Sequence, residues 1–135
     1  MPQVAVVFFQ DDDGSIPALE WLRDIKQRDR RITAKFHERI LELKEQGWDL
    51  TRPSADVLRD GIYELRVRFG NVNYRLLYGF HGQTTAILAH GLVKKAEVPA
   101  ADIEIAIARM TKFAENPGAH TYVRQVPGRQ RGYGQ

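Results

Sequence analysis

The chain has 135 residues, a usual size for one domain, and 43% of them are hydrophobic. It contains no cysteine, which excludes disulfides, thiolate chemistry and Cys-based zinc sites. No apolar run approaches the roughly 18 residues that a membrane span needs, and the first residues lack the pattern of a signal peptide. We therefore expect a cytoplasmic protein without a membrane partner, whose net charge of +3 permits an acidic partner without requiring one.

The first part of the chain predicts a strand, an acidic turn and two helices. Residues 4–9 form a short β-branched and aromatic run, typical of a buried strand. The aspartates at 11–13 lack the spacing of a calcium loop, so we interpret them as a turn rather than a metal site. Residues 15–26 and 29–46 carry apolar residues at helical spacing, which predicts a helical hairpin packed on a sheet. Residues 48–59, which include a proline, are predicted to be a linker.

Residues 61–80 carry the clearest pattern of the chain and predict two strands joined by a tight turn. In the first strand, apolar residues alternate with Glu64, Arg66 and Arg68. Alternation with period two sends the apolar set to one face of a sheet and the charged set to the other. The turn falls at Gly70 and the asparagine after it, because both residue types tolerate positive φ.

The second strand of this hairpin is mostly apolar and carries Arg75 as its one charge. If the strands pair as a hairpin, Arg75 can share a face with Arg66 and Arg68. Three guanidiniums on a rigid sheet would form a phosphate site, because Arg is a planar fork that keeps its proton. The alternative is the solvated face of a half-buried sheet.

Residues 84–92 predict a further strand, nearly all apolar and therefore interior. His90 lies near its end and could act as a general acid, since imidazole titrates near neutral pH; a satisfied core residue is the alternative. Lys94 and Lys95 follow and would add two cations beside the predicted arginine site, or form a basic cap on a loop.

The last predicted element is a helix that begins near Pro99 and carries an apolar stripe ending at Phe113. The whole pattern predicts an α+β fold of order β-α-α-β-β-β-α with a mainly antiparallel sheet. We predict one domain over residues 1–114 and a flexible basic tail over 115–135. Arg with interleaved Tyr in that tail could bind single-stranded RNA, or the tail could be a plain disordered terminus.

Three motifs together resemble a known toxin group. They are G-I-Y-E-L-R at 61–66, Y-R-L-L-Y at 74–78 and H-G-L-V-K-K at 90–95, the last followed by a helix. In this order, and preceded by two helices, they resemble the RelE/ParE toxin superfamily, most closely its HigB-like, phage-protein-like branch. The resemblance covers roughly residues 58–113.

The resemblance implies a RelE-like fold and the toxin of a type II toxin–antitoxin pair. RelE-like members cleave mRNA on the ribosome, and a partner protein neutralises them. The implied partners are mRNA, the ribosome and a cognate antitoxin, expected to be a small helix-turn-helix DNA-binding protein. We predict no cofactor and no metal site.

The chemistry expected of such a site is RNA scission in which the ribose 2′-OH attacks the adjacent phosphate. The protein must then supply a base, an acid and cations for the crowded phosphorane. Arg66, Arg75 and Lys95 match the basic positions of the family best, whereas Glu64 is either the base or a partner that orients an arginine. The predicted catalytic residues are Arg66, Arg75, Lys95, Glu64 and His90, and the predicted substrate-binding residues are Arg68, Lys94 and Tyr74.

Two other functions stay open at this point. A ParE-like protein of the same fold inhibits DNA gyrase by binding and cleaves nothing. A phage or plasmid protein could also bind nucleic acid without any catalysis. The basic outer side of the second helix is interpreted as a solvated face, with contact to ribosomal RNA as the alternative.

Overall fold

The structure is a computed structural model that describes residues 3–94 and 96–123. Its elements in chain order are β1 (Ala5–Phe8), α1 (Pro17–Arg28), α2 (Arg30–Gln46), a 3₁₀ turn (Gly47–Asp49), β2 (Ala55–Arg59), β3 (Ile62–Phe69), β4 (Val72–His81), β5 (Thr85–Val93) and α3 (Ala100–Glu115). In the described part of the chain, no helix combines the length and the apolar character that a membrane crossing requires.

The strands form one five-stranded sheet in the order β1-β5-β4-β3-β2. Within the described ranges, only β1 pairs in parallel, with β5, and the other neighbours are antiparallel. The predicted α+β class, the helical hairpin and the mainly antiparallel sheet are therefore confirmed.

The predicted linker was wrong in part, because it contains the edge strand β2. This strand pairs with β3 from Ala55 opposite Leu65 to Arg59 opposite Ile62. The connecting residues Asp60 and Gly61 have φ of 53° and 79°, and two positive φ values are what a tight two-residue hairpin turn requires. The Asp-Gly dipeptide was thus a signal in the sequence that could have revealed the extra strand.

One face of the sheet is covered by α1 and α2. We call it the hairpin face, after the helical hairpin that these two helices form. The main core lies here and includes Leu65, Leu76 and Leu88 from the strands together with Phe36 and Leu43 from α2, all at most 1% exposed. The alternating apolar residues of β3 thus bury against the helical stripe of α2, as their two periods predict.

The opposite face, which we call the α3 face, is only partly covered. Ile103 and Ala106 of α3 pack on Ile62, Leu77 and neighbouring strand residues to form a second apolar cluster. Lys112, further along α3, contacts the acidic turn after β1 through Asp11 and Asp12, at 2.7 and 3.0 Å. The bond from Lys112 lowers the pKa of Asp11.

The fold continues past the predicted domain end at residue 114. His120 is 6% exposed, stacks on Phe9 and lies 2.8 Å from the Gln10 carbonyl through Nδ1. Thr121 bridges to Phe9, and the Tyr122 amide donates to the Phe8 carbonyl at 2.9 Å. Residues 120–122 of the predicted tail therefore pack along the end of β1 and the two residues after it, and residues 124–135 lie outside the described residues.

Replacing Gly91 with alanine is expected to destabilise the protein by about 1–3 kcal/mol, the usual cost of overpacking a core. Gly91 lies on β5 under α1, and a Cβ there would overlap the indole ring of Trp21. The measurement is the free energy of unfolding from urea titration. Gly118→Ala is the matched control, since the nearest heavy atom to its new Cβ is 3.9 Å away. Equal stability of the two variants would show that α1 does not approach the sheet this closely.

Candidate nucleic-acid interface

The predicted arginines lie on one face of the hairpin formed by β3 and β4. Arg66 is directly opposite Arg75 in the antiparallel register, and Arg68 is opposite Asn73. Glu64 is opposite Leu77, which belongs to the apolar cluster under α3. The register of β3 against β4 therefore places Glu64 on the α3 face, together with Arg66, Arg68 and Arg75.

Lys94 extends this set at the end of β5. Its amide donates to the carbonyl of Asn73 at 3.2 Å, which continues the β4–β5 ladder by one residue. Since Asn73 is opposite Arg68, Lys94 and Arg68 flank the same position of β4. The Lys94 side chain is exposed. Lys95, the other predicted lysine, lies outside the described residues.

A cleft of about 360 Å³ opens beside these arginines. Its lining residues are Arg39, Pro53, Arg66, Val67, Arg68, Asn73, Tyr74 and Arg75. Four arginines thus line one concavity, and the arginine side chain suits a polyanion with several phosphate oxygens.

Arg39 is a member of this cleft that the sequence analysis did not select. It comes from α2, and its Nε donates to the Arg66 carbonyl at 2.9 Å. On the same residue, the Arg66 amide donates to the Ser54 carbonyl at 2.8 Å, just before β2 begins. Arg39 therefore donates a hydrogen bond to a backbone carbonyl at the edge of β3, at the point where the pairing of β3 with β2 ends. No periodicity connects residue 39 with residue 66, so only the folded chain reveals the contact.

Glu64 lies buried among the arginines and is 3% exposed. Its carboxylate is 3.3 Å from a terminal nitrogen of Arg75 and 3.8 Å from one of Arg66. Burial raises the pKa of Glu64 because it penalises the charged form, while Arg75 and then Arg66 act in the opposite direction. Of the two predicted roles, this geometry fits the partner that orients an arginine, because a buried carboxylate cannot reach a substrate hydroxyl.

A second carboxylate continues the network on β2. Asp56 is opposite Glu64 in the register and lies 3.8 Å from Arg66 and 2.7 Å from Arg52. The hydrogen bond from Arg52 is the main cause that lowers the pKa of Asp56. Cations and carboxylates thus alternate from Arg75 to Arg52. Within the described ranges, no three His, Asp or Glu side chains are arranged to hold a metal ion.

The side chain of His90 contacts two residues of α3, Asp102 and Arg109. Its Nε2 lies 2.7 Å from Asp102, and its Nδ1 lies 3.2 Å from Arg109. Since Arg can only donate, Nδ1 accepts and Nε2 carries the proton. His90 is opposite Leu77, which is itself opposite Glu64, so two strand spacings, about 10 Å, separate the two backbones. Among the described residues, the side chain of His90 is therefore hydrogen-bonded to Asp102 and Arg109 of α3 and not to Arg66, Arg68 or Arg75.

Tyr74 borders the cleft but belongs to the hairpin face. It is opposite Val67 in the register, and its side chain packs at the margin of the main core. Tyr74 therefore lines the cleft from the other face of the sheet than Arg66 and Arg75, and its contact with substrate stays a prediction.

The Glu64 carboxyl is expected to titrate above 4.5, its value in the unfolded chain, and Asp56, as an internal comparison, below 3.8. A raised carboxyl pKa means that the folded state binds the proton more tightly. The stability due to Glu64 is then fully present below pH 4.5 and is lost as the pH rises through the folded pKa.

Carbon-13 NMR titration of the two carboxyls measures these pKa values. In urea titrations at several pH values, the unfolding free energy of wild type minus that of Glu64→Gln should fall across the same window. A Glu64 midpoint below 4.5 would contradict the burial described above.

Comparison with known proteins assigns the chain to a family. The model of the family described as Phage derived protein Gp49-like (DUF891) matches residues 20–111, more than half of the chain. No curated protein matches the chain. The matched span runs from within α1 into α3 and includes the β3–β4 hairpin with its arginines. The chain therefore belongs to the phage-derived Gp49-like family, which is part of the RelE/HigB-like toxin superfamily.

Proposed function

We propose that this protein is the HigB-like toxin of a type II toxin–antitoxin pair and that it cleaves mRNA on the ribosome. Membership of a toxin-like family supports the first half of the proposal. The observation that carries the second half is the pairing of Arg66 with Arg75 beside a cleft that Arg39 and Arg68 also line.

In the proposed reaction, the nucleophile belongs to the RNA. The ribose 2′-oxygen forms a bond to the adjacent phosphorus, and the bond to the 5′-oxygen breaks. The products are a 2′,3′-cyclic phosphate and a 5′-hydroxyl. Negative charge on the phosphoryl oxygens grows in the transition state, where Arg66 and Arg75 would stabilise it. A donor aimed at such charge contributes about 3 kcal/mol.

Arg68 and Lys94 lie one row further along the same face, on either side of Asn73. Both are exposed. They are suited to hold the phosphates that flank the scissile one, because phosphate contacts set the register of the nucleic acid without reading its sequence. Arg39 closes the cleft from the side of α2.

Proton transfer is assigned by elimination among the predicted residues. Glu64 is buried beside Arg75, and both ring nitrogens of His90 already have partners. In this proposal, Glu64 is a positioning residue for the arginines, and His90 attaches β5 to α3. Lys94, which is exposed at the end of β5, then remains the candidate for exchange of a proton, and Lys95, which lies outside the described residues, keeps its predicted role. The neutralising antitoxin and the ribosome complete the proposed set of partners, in the cytoplasm.

The variant Arg66→Ala is expected to lower the rate of mRNA cleavage about 100- to 1,000-fold, the usual effect of removing one donor to developing charge. Arg66 meets its carboxylate partners only at 3.8 Å, and 29% of its side chain is exposed, so the fold should survive. The measurement is the mapping of mRNA 5′ ends in a translating extract, where wild type should cut only ribosome-bound message in phase with codons. The matched control is Arg28→Ala, an exposed arginine in the last turn of α1.

If Arg66→Ala cleaves mRNA as fast as wild type, Arg66 does not belong to the catalytic site. Intact mRNA with stalled replication in cells that express wild type would favour the ParE-like function. Intact mRNA without growth arrest would favour a protein that only binds nucleic acid.

Arg75 needs a paired design because it neutralises a buried carboxylate. Arg75→Ala alone is expected to cost about 3–5 kcal/mol, as removal of one partner of a buried ion pair does. The double variant Arg75→Ala/Glu64→Gln leaves no uncompensated charge and should recover most of that stability while its cleavage stays low. Urea titration and the mRNA assay measure the two properties separately. A double variant that cleaves like wild type would give Arg75 a purely structural role.

A further inference from the structure

We infer that the binding of an RNA phosphate at Arg66 and Arg75 makes Glu64 take up a proton, so that the cleft binds RNA more tightly as the pH falls. The place of binding rests on the proposed function. The coupling to a proton rests on the position of the Glu64 carboxylate beside the two arginines.

Glu64 depends on the two arginines for its negative charge. Among the described residues, it is the one acidic side chain that the fold buries, at 3% exposed. Its carboxylate lies 3.3 Å from Arg75 and 3.8 Å from Arg66. Within the same ranges, its Oε1 oxygen accepts no hydrogen bond. The ionised form is therefore stabilised by attraction to two guanidiniums, and a change in either guanidinium alters that stabilisation.

Arg75 can bond to a ligand in the cleft. It lines the cleft although only 11% of its side chain is exposed. Its buried Nε has no hydrogen-bond partner in the described part of the chain. A buried donor without a partner costs free energy, which an incoming acceptor oxygen can recover. A phosphate oxygen is such an acceptor, and it would compete with Glu64 for the same guanidinium.

A bound phosphate changes the surroundings of Glu64 in two ways. It adds a negative charge close to the carboxylate, and it attracts Arg66 and Arg75 toward itself. Both changes disfavour the ionised form of a buried carboxyl. Burial already raises the pKa of Glu64 while Arg75 and Arg66 oppose that effect, so weaker opposition raises it further. By linkage, the protonated protein then binds RNA more tightly by the same factor.

The other charged groups near Glu64 are not expected to take up this proton. Asp56, opposite Glu64 on β2, accepts a hydrogen bond from Arg52 that lowers its pKa. The arginines of the cleft keep their protons throughout the working range of pH. His90 lies two strands away and is hydrogen-bonded to α3. The proposal therefore assigns the proton to Glu64 alone.

Carbon-13 NMR titration of the carboxyls, with and without a short single-stranded RNA, tests the coupling directly. The RNA carries methyl groups on its 2′-oxygens, which removes the nucleophile and keeps the strand intact. Bound RNA should raise the midpoint of Glu64 by about one pH unit or more and should leave Asp56 ionised. Calorimetry in two buffers of different ionisation enthalpy should show uptake of protons on binding. The Kd for RNA should fall up to about tenfold per pH unit as the pH falls from about 8 to about 5.

Two carboxylate variants form a matched pair. Glu64→Gln keeps the size of the side chain and cannot titrate, so it should bind RNA without this uptake. Asp56→Asn removes the neighbouring carboxylate of the same network and should retain it. Arg66→Ala should bind RNA more weakly, as expected if the RNA occupies the cleft. Circular dichroism verifies that each variant folds.

The proposal is overturned if bound RNA leaves the Glu64 midpoint unchanged or lowers it, or if wild type does not bind the RNA at millimolar concentration. Uptake of protons by Glu64→Gln equal to that of wild type would overturn it as well. If RNA binds with proton uptake while ribosome-bound mRNA stays uncut, the coupling stands and the proposed nuclease fails. If mRNA is cut while RNA does not move the Glu64 midpoint, the nuclease stands and the coupling fails.

Discussion

The arrangement of charges on the α3 face depends on one constraint, the position of Arg66 directly opposite Arg75 on neighbouring strands. Like charges in this arrangement repel and destabilise a sheet. Glu64 reduces that cost, since its carboxylate lies 3.3 Å from Arg75 and 3.8 Å from Arg66. The carboxylate in turn is 3% exposed and would be costly to bury without the arginines. The three side chains therefore need one another, and Asp56, 3.8 Å from Arg66, adds a second carboxylate to the set.

The two faces of the sheet have different roles because different helices cover them. On the hairpin face, α1 and α2 bury the apolar alternation of β3 and leave a basic-rimmed groove at their junction. On the α3 face, the single helix covers Leu77 and its neighbours and is attached through Asp102 and Arg109 to His90. Arg66, Arg68 and Arg75 lie elsewhere on that face, and Arg39 of α2 lines their cleft from the other side of the sheet. The two faces of one sheet thus differ in both cover and charge.

Most elements of the fold could be predicted because their signals are local. Each of the two main patterns lies within one element and predicts directly which residues are buried. They are the alternation from Tyr63 to Phe69 and the helical stripe with Phe36 and Leu43. The strand β2 was missed because only five residues form it and its stability comes from pairing with β3. The packing of His120 on Phe9 was missed because two segments more than a hundred positions apart form that contact.

The candidate site divides in the same way. Period-two alternation was enough to place Arg66, Arg68 and Glu64 on one face, and the hairpin turn was enough to bring Arg75 beside them. The family match supports the toxin-like assignment that the motifs suggested. The sequence by itself therefore determined that these four charged residues share one face of the sheet.

Only the tertiary structure decided which of those charges are engaged. In the folded chain, Arg39 of α2 bonds to the edge of β3, and Asp56 lies opposite Glu64. Both ring nitrogens of His90 contact side chains of α3. The tertiary structure also turned Tyr74 to the other face from the arginines. The physical reason is that electrostatic partners are selected by distance through space, and the local periods of a strand or a helix carry no information about distances between separate elements.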